Sequence, residues 1–375
     1  MRIKTIGIKY PQKRLVLDKV EKVKYYKIQN YANPFLKKLH KFETWYPLFD
    51  FNIDGYHTVN TIMLTEKPWC CNFEDWVPRG SGSRYFKYMY DGIDDGFGAQ
   101  LNSIMYTISK PNCKRLMALS DCNYQMQLRF YDFYGHPEIT DVIKAKTCVV
   151  RVPQDLLVDT CKDFVNAKVR FVFVGNDFVR KGGREILEVF REISRTRGDF
   201  ELYLITQTDK IFNPKFSNYQ DNIQEVNEIV EWAKQQKWIH ICSNLPNNKV
   251  LEILKKCDVG MLPTWFDTYG YSALEMQACG LPVISTNIRA LPEINNKGWQ
   301  IIMPVNSCNE VDANSYEEKT ALRNCMQKQM YDIIISILDH PNTIIGKGRD
   351  SFEYIKKYHS MNEYSNIIQN IYSEF

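Results

Sequence analysis

The chain has no run of about 18 apolar residues, so nothing in it reads as a membrane-crossing helix. It has no Cys-x-x-Cys pair, and its 11 cysteines are scattered and odd in number. That excludes a zinc ribbon or a disulfide framework as the organising device. Buried, reduced thiols of a cytoplasmic protein are expected instead. No Gly-x-Gly-x-x-Gly follows a strand-like segment, which argues against a nicotinamide-dinucleotide enzyme. No Asp-x-Asp stands at a strand end in a metal-like setting. Asp94-Asp95 falls in a Gly-, Ser- and Asp-rich stretch, 79–98, that reads as a loop. No metal ligand set and no resident cofactor is expected. The first residues, Met1–Ile8, read as a short strand and not as a signal peptide, because the apolar stretch is too short and no cleavage site follows.

What is present suits two ordinary globular domains: 375 residues, 44% hydrophobic and 25% charged. The net charge of +4 hides an asymmetry. Residues 1–48 hold 12 Lys or Arg against three acids, Asp18, Glu21 and Glu43. Aromatic side chains such as Tyr25, Tyr26, Trp45 and Tyr46 interleave with them. This mixture suits an anionic membrane surface; a solvated basic face is the plainer alternative. Nucleic acid is not expected, since no helix-turn-helix, zinc or RNP-like pattern accompanies the charge.

Strand-like and helix-like segments alternate, the pattern of an α/β protein with parallel sheets. In the second half the reading is clear. Strands are expected at 169–175, 201–206, 238–242, 258–262, 282–286 and 298–303, with helices at 184–193, 222–236 and 247–256. In the first half, 2–8, 68–73, 114–120 and 147–152 read as strands. A helix over 121–134 is capped by Ser120 or Asp121. The tail, 350–375, is helical by its apolar spacing at Phe352, Ile355, Tyr364, Ile368 and Ile371.

Two segments carry chemistry. The first is Gly175-Asn176-Asp177-Phe178-Val179-Arg180-Lys181-Gly182-Gly183, joining a strand to a helix. Glycines at a helix start let backbone approach an anion, and Arg180 and Lys181 add full positive charge. The second begins about 90 residues later. Asp267 and Glu275 stand eight positions apart around Tyr269-Gly270-Tyr271-Ser272, followed by Gly280 and a strand opened by Pro282. The turn and helix start offer N–H groups to an anion, and the carboxylates accept hydrogen bonds from hydroxyls.

Together these segments resemble the donor-binding signature of retaining glycosyltransferases of family GT4, which have the GT-B fold. The family pattern is an acid, seven residues, Glu, a small-residue helix and Gly-x-Pro-Val. Asp267 stands where Glu is commoner, and Asn176 where the family often has Arg. The resemblance implies that Asp267 holds the donor sugar, Glu275 the nucleotide ribose, and Lys181 with Arg180 the diphosphate. Gly175, Gly182, Gly183, Tyr269, Gly270, Tyr271 and Ser272 complete the anion site.

In the first half, His57 and Glu74 are the candidates for the sugar or the acceptor. Many family members have a His after a strand like 68–73, where this chain has Glu74. Each of the two has a structural reading as good as the functional one. His136 reads as a loop residue, and Arg79 and Arg84 are further conceivable contacts.

The fold expected is α/β, GT-B: two Rossmann-like domains facing across a cleft, with a C-terminal helix crossing back to the first. Residues 1–160, completed by 350–375, form the acceptor domain, and 165–349 the donor domain. The resemblance implies a metal-independent transferase. It moves a sugar from a nucleotide-diphosphate donor to a hydroxyl of a glycan or lipid-linked acceptor, with retention, in polysaccharide or glycolipid assembly. The expected location is the cytoplasm, at the inner membrane face. A non-catalytic nucleotide-sugar-binding partner of another transferase is the alternative.

Overall fold

The computed structural model describes residues 1–7, 12–15, 20, 22–27, 42–47, 52–80, 95–163, 165–208, 222–313 and 315–375. The chain divides into two compact units. Unit 1 is Met1–Pro153 with His359–Phe375, and unit 2 is Gln154–Tyr358. The return to unit 1 therefore begins at His359, later than the 350 expected.

Unit 1 is built on strands β1 (Arg2–Ile6), β2 (Lys24–Lys27), β4 (Gly55–Val59), β6 (Trp69–Phe73), β7 (Cys113–Ala118) and β8 (Thr147–Val149), with a separate pair β3 (Thr44–Trp45) and β5 (Ile62–Met63). The main sheet has the order β2-β1-β4-β6-β7-β8, and every pairing is parallel. All residues of β4 and β6 are buried, as expected of central parallel strands covered on both faces. Helices α1 (Asp95–Ser109), α2 (Asp121–Tyr134) and α3 (Pro137–Lys144) follow in sequence. Ser120 is the cap of α2: its Oγ accepts from the Asn123 amide at 3.0 Å. Lys146 Nζ donates to the carbonyls of Ser109 and Lys110 at 2.7 and 2.6 Å, a cation at the negative end of α1. Because α1 begins at Asp95, the expected loop ends four residues earlier than 98. Arg84 and Asp94 lie outside the described residues, as does much of the basic segment 1–48.

Unit 2 runs β9 (Val169–Val174), α4 (Gly183–Ile193), β10 (Phe200–Ile205), α5 (Ile223–Lys234), β11 (Ile239–Cys242), α6 (Asn247–Leu254), β12 (Val259–Leu262), α7 (Tyr271–Ala278), β13 (Val283–Thr286), α8 (Leu291–Ile294), β14 (Trp299–Ile301), α9 (Tyr316–Asp339) and α10 (Thr343–Tyr358). Its sheet, β11-β10-β9-β12-β13-β14, is wholly parallel. The unit's first strand, β9, thus lies beside its fourth, β12, and the strand order reverses between them. In open α/β sheets that reversal, at the carboxyl ends of the strands, is where ligands bind. Phe171 and Phe173 of β9, Phe190 of α4, Leu202 of β10 and Met261 of β12 fill the core, together with Met326, Met330 and Ile334 of α9. Helix α9 is capped by Ser315, whose Oγ accepts from the Glu318 amide at 3.1 Å.

Helix α11 (Met361–Ser373) closes unit 1 through Tyr364, Ile368, Ile371 and Tyr372, all buried. Gly55 is closely packed here: a Cβ on it would stand 2.2 Å from the Phe375 ring and 2.8 Å from the Pro68 carbonyl. His57, in the middle of β4, faces inward with no exposed surface. Its Nδ1 lies 2.6 Å from the Tyr372 hydroxyl, and its Nε2 lies 2.6 Å from Asn72 Oδ1. The ring therefore ties α11 to the sheet. His359 Nδ1 donates to the Val152 carbonyl at 2.7 Å. Burial pushes both imidazoles down to about 4, against the weaker upward pull of Asn72 on one and the Val152 carbonyl on the other.

Both histidines are thus neutral in the fold, while an unfolded chain protonates them near pH 6.5. Their contribution is complete above pH 6.5 and is lost as the pH falls from 6.5 toward 4, by roughly 3 kcal/mol for each ring. Urea midpoints measured from pH 7 to pH 4.5 should fall steeply, and less steeply in His57→Gln. A flat profile would contradict the burial.

Candidate functional site

The loop after β9 is a compact turn. Lys181, Gly182 and Gly183 donate their amides to the carbonyls of Asp177, Val179 and Phe178 at 2.9, 3.0 and 2.8 Å. Phe178 is wholly buried and meets Phe173 edge-on, anchoring the turn in the core. The three amides are hydrogen-bonded inside the turn. The glycines have a steric cause. Gly182 has φ +82°, and a Cβ on it would stand 2.1 Å from the Pro263 carbonyl; a Cβ on Gly183 would stand 2.3 Å from the Phe178 ring. Gly175 lets the Lys181 stem lie across it, with Cγ 3.0 Å from where a Cβ would be.

The segment after β12 locks onto this turn. The Arg180 carbonyl accepts from the Trp265 amide at 2.9 Å and the Thr264 hydroxyl at 3.1 Å. The Thr264 carbonyl accepts from the Thr286 hydroxyl at the end of β13, at 2.7 Å. The ends of β9, β12 and β13 are therefore joined, and the join places the charged side chains. Lys181 Nζ donates to Asp267 Oδ2. Arg180 Nε donates to Asp177 Oδ2 at 2.9 Å, and its Nη1 to the Phe266 carbonyl at 2.7 Å. Arg180 is thus a brace between the two loops, a more fixed role than the extra cation expected from the sequence.

Lys181 and Asp267 are both nearly buried, with side-chain exposures of 13% and 10%. Burial alone would raise the Asp267 carboxyl, but Lys181 first, then Arg180 and the Tyr269 amide, hold it below the usual range. Burial pushes the Lys181 ammonium below its ordinary value, with Asp267 opposing and Arg180 adding to the shift.

Helix α7 follows Gly270, which has φ +99° and provides no side-chain cap. The amides of Gly270 and Ser272 make no hydrogen bond to any described residue. Unpaired donors at a helix start are a ready anion site. Tyr269 is buried, and its ring centroid lies 5.1 Å from that of Tyr271. Glu275 is buried one turn into the helix. In unit 1, Glu74 follows the carboxyl end of β6 and is buried; its amide donates to Asn60 Oδ1 at 3.0 Å, and its carbonyl accepts from Asn123 Nδ2. His57 is enclosed by Tyr372 and Asn72, so the structure gives it a packing role and no face toward a ligand.

Residues 168–315 match the family described as Glycosyl transferases group 1. That group 1 segment spans β9 to β14 and contains Arg180, Lys181, Asp267 and Glu275, whereas His57 and Glu74 lie outside it. The chain is 21% identical over 207 residues to O-antigen chain mannosyltransferase B of Escherichia coli, covering 55% of this chain and 50% of that one. Only about half of the relative's length is therefore matched. HepE (Alr3699) of Anabaena, solved with UDP and glucose, aligns over 100% of both chains with a TM-score of 0.62 and 10% identity. A glycosyltransferase from Rickettsia africae aligns over 100% of this chain and 98% of its own, with a TM-score of 0.60 and 15% identity. At these identities the likeness establishes the fold, GT-B, with a Rossmann-like parallel sheet in each unit.

Beside the group 1 signature, sequence reasoning missed Asp177, Thr264 and Arg289. The i,i+3 spacing of Asp177 and Arg180 was a usable signal. Arg289 had none. It is buried with φ +49°, pairs with Glu310 at 3.1 Å, and lies 5.9 Å from the Phe266 ring.

Gly182→Ala should cost on the order of 3 kcal/mol, because it meets both a left-handed backbone and the Pro263 carbonyl. A thermal melt should fall by about 5–10 °C. Gly198→Ala, with open space around it, should leave the melt unchanged.

Proposed function

We propose that the chain is a glycosyltransferase that takes a sugar from a nucleotide-diphosphate donor and transfers it to an acceptor hydroxyl with retention, without a metal ion. The observation that carries the reading is the meeting of Lys181 and Asp267 beside the reversal of strand order, next to the uncapped start of α7. Breaking the bond to a nucleoside diphosphate puts growing negative charge on the leaving phosphate. The Lys181 ammonium and the helix-start amides are placed to stabilise that charge. Asp267 and Glu275 accept hydrogen bonds from the sugar and the ribose. The group 1 match, and the UDP and glucose bound by HepE, support this assignment.

The name of the Escherichia coli relative, a mannosyltransferase of an O-antigen chain, supports a setting in polysaccharide assembly, and a glycan or lipid-linked acceptor fits it. No described helix is long and apolar enough to cross a membrane. The basic stretch 1–48 makes an anionic membrane surface on the cytoplasmic side the proposed location. Co-sedimentation with anionic vesicles that weakens with salt is expected, and indifference to lipid charge counts against it. One observation favours the non-catalytic alternative: both loop cations are engaged by carboxylates of the chain itself.

The reading is tested by thermal shift in EDTA with UDP-, GDP-, ADP- and CDP-sugars. One class should stabilise the protein by several degrees, and Glu275→Ala should abolish that shift. Lys181→Ala should lower turnover by about 100-fold or more while keeping the fold. Near-normal turnover in that variant removes Lys181 from the mechanism, and stabilisation without any turnover selects the non-catalytic alternative.

A further inference from the structure

The two bases of the phosphate loop face two acids. Arg180 is held by Asp177 and the Phe266 carbonyl, and Lys181 by Asp267. A diphosphate arriving here meets a locally neutral cluster and gains little unless one pair opens. The pairs differ in how readily they open. Arg180 is fixed at both ends of its guanidinium, and its own carbonyl is locked to Thr264 and Trp265. Lys181 is a point charge on a flexible stem that lies over a glycine. Asp267 is steadied through its other oxygen by the Tyr269 amide at 3.4 Å.

We infer that Asp267 is the resident counter-ion of Lys181, and that an entering diphosphate takes its place, releasing the carboxylate to receive a hydroxyl of the sugar on that diphosphate. The inference rests on the nucleotide-sugar reading of this segment. The exchange couples the two halves of the donor. Once Lys181 turns to phosphate, Asp267 is a nearly buried carboxylate without its cation, a costly state unless hydroxyl donors replace it. A sugar supplies them, whereas a bare diphosphate leaves the carboxylate stranded beside a second anion. The site therefore discriminates against its own sugarless product.

The test is calorimetric titration of the full chain in EDTA with inorganic pyrophosphate, and with UDP-glucose and GDP-mannose. Asp267→Asn should bind pyrophosphate about tenfold more tightly than the wild type and lose preference for the sugar-bearing ligand. Asp267→Ser provides a second neutral variant if the first does not fold, and Lys181→Met in the Asp267→Asn background should remove the gain. Unchanged or weaker pyrophosphate binding in folded neutral variants overturns the inference, as does absence of pyrophosphate binding in every variant. Failure of the underlying reading looks different: no nucleotide sugar binds the wild type, whatever pyrophosphate does.

Discussion

The site in unit 2 depends on one backbone interlock, the seating of Gly182 against the Pro263 carbonyl. A Cβ at 182 would occupy the space of that carbonyl, so only glycine lets the β9 loop approach the β12 loop so closely. Within that approach, the Arg180 carbonyl collects the Thr264 hydroxyl and the Trp265 amide. The side chains of residues 180, 181 and 267 meet because the main chain beneath them is already joined. The glycines that look like an anion cradle in sequence serve first as a loop junction. The junction then delivers Lys181 to Asp267.

How much of this was legible in the sequence depended on how local the cause was. The strands of unit 2 are short runs of β-branched and aromatic residues, such as Val169–Val174, bounded by turn residues, and they read plainly. Ser120 read as a cap because capping is decided within three residues. Helix α9 did not read, because its first half, Tyr316 to Cys325, holds few apolar residues. That half buries Lys319 and Arg323 instead, and Arg323 pairs with Glu185 at 3.0 Å. Buried charge in a helix looks like a solvated face until its partner, 138 residues away in the chain, is known. Strand β4 was obscured in the same way, since His57 interrupts its apolar character and one of its partners, Tyr372, lies 315 residues away in the chain.

The site residues divide along the same line. Lys181, Asp267 and Glu275 were singled out as candidates because the motif that they resemble is written in local spacing. Spacing could not tell that Arg180 would turn toward Asp177 and the Phe266 carbonyl, or that His57 would be enclosed by Tyr372 of the last helix. Side-chain direction at a loop is set by what the other loop offers. Arg289 makes the point most fully: its left-handed backbone, its pairing with Glu310 and its position over Phe266 all depend on segments separate in sequence.

The electrostatics of Lys181 and Asp267 separate stability from function. A nearly buried ion pair is a poor stabiliser, because removing two charges from water costs about as much as their attraction returns, and apolar replacements often do better. The loop junction is already held by Gly182, Thr264 and Trp265, so the pair is not needed to bring the segments together. It does keep two formal charges, poor in water, at the carboxyl ends of the two strands where the sheet order reverses. Each is the stronger for its low-dielectric setting toward any ligand that replaces its partner. His57 shows the contrasting case. It is just as buried, but kept neutral and bonded on both ring nitrogens, and it has no charge to offer. Burial alone therefore does not mark a functional group here. What sets the proposed pair apart is burial of charge at an end of the sheet with unpaired amides nearby.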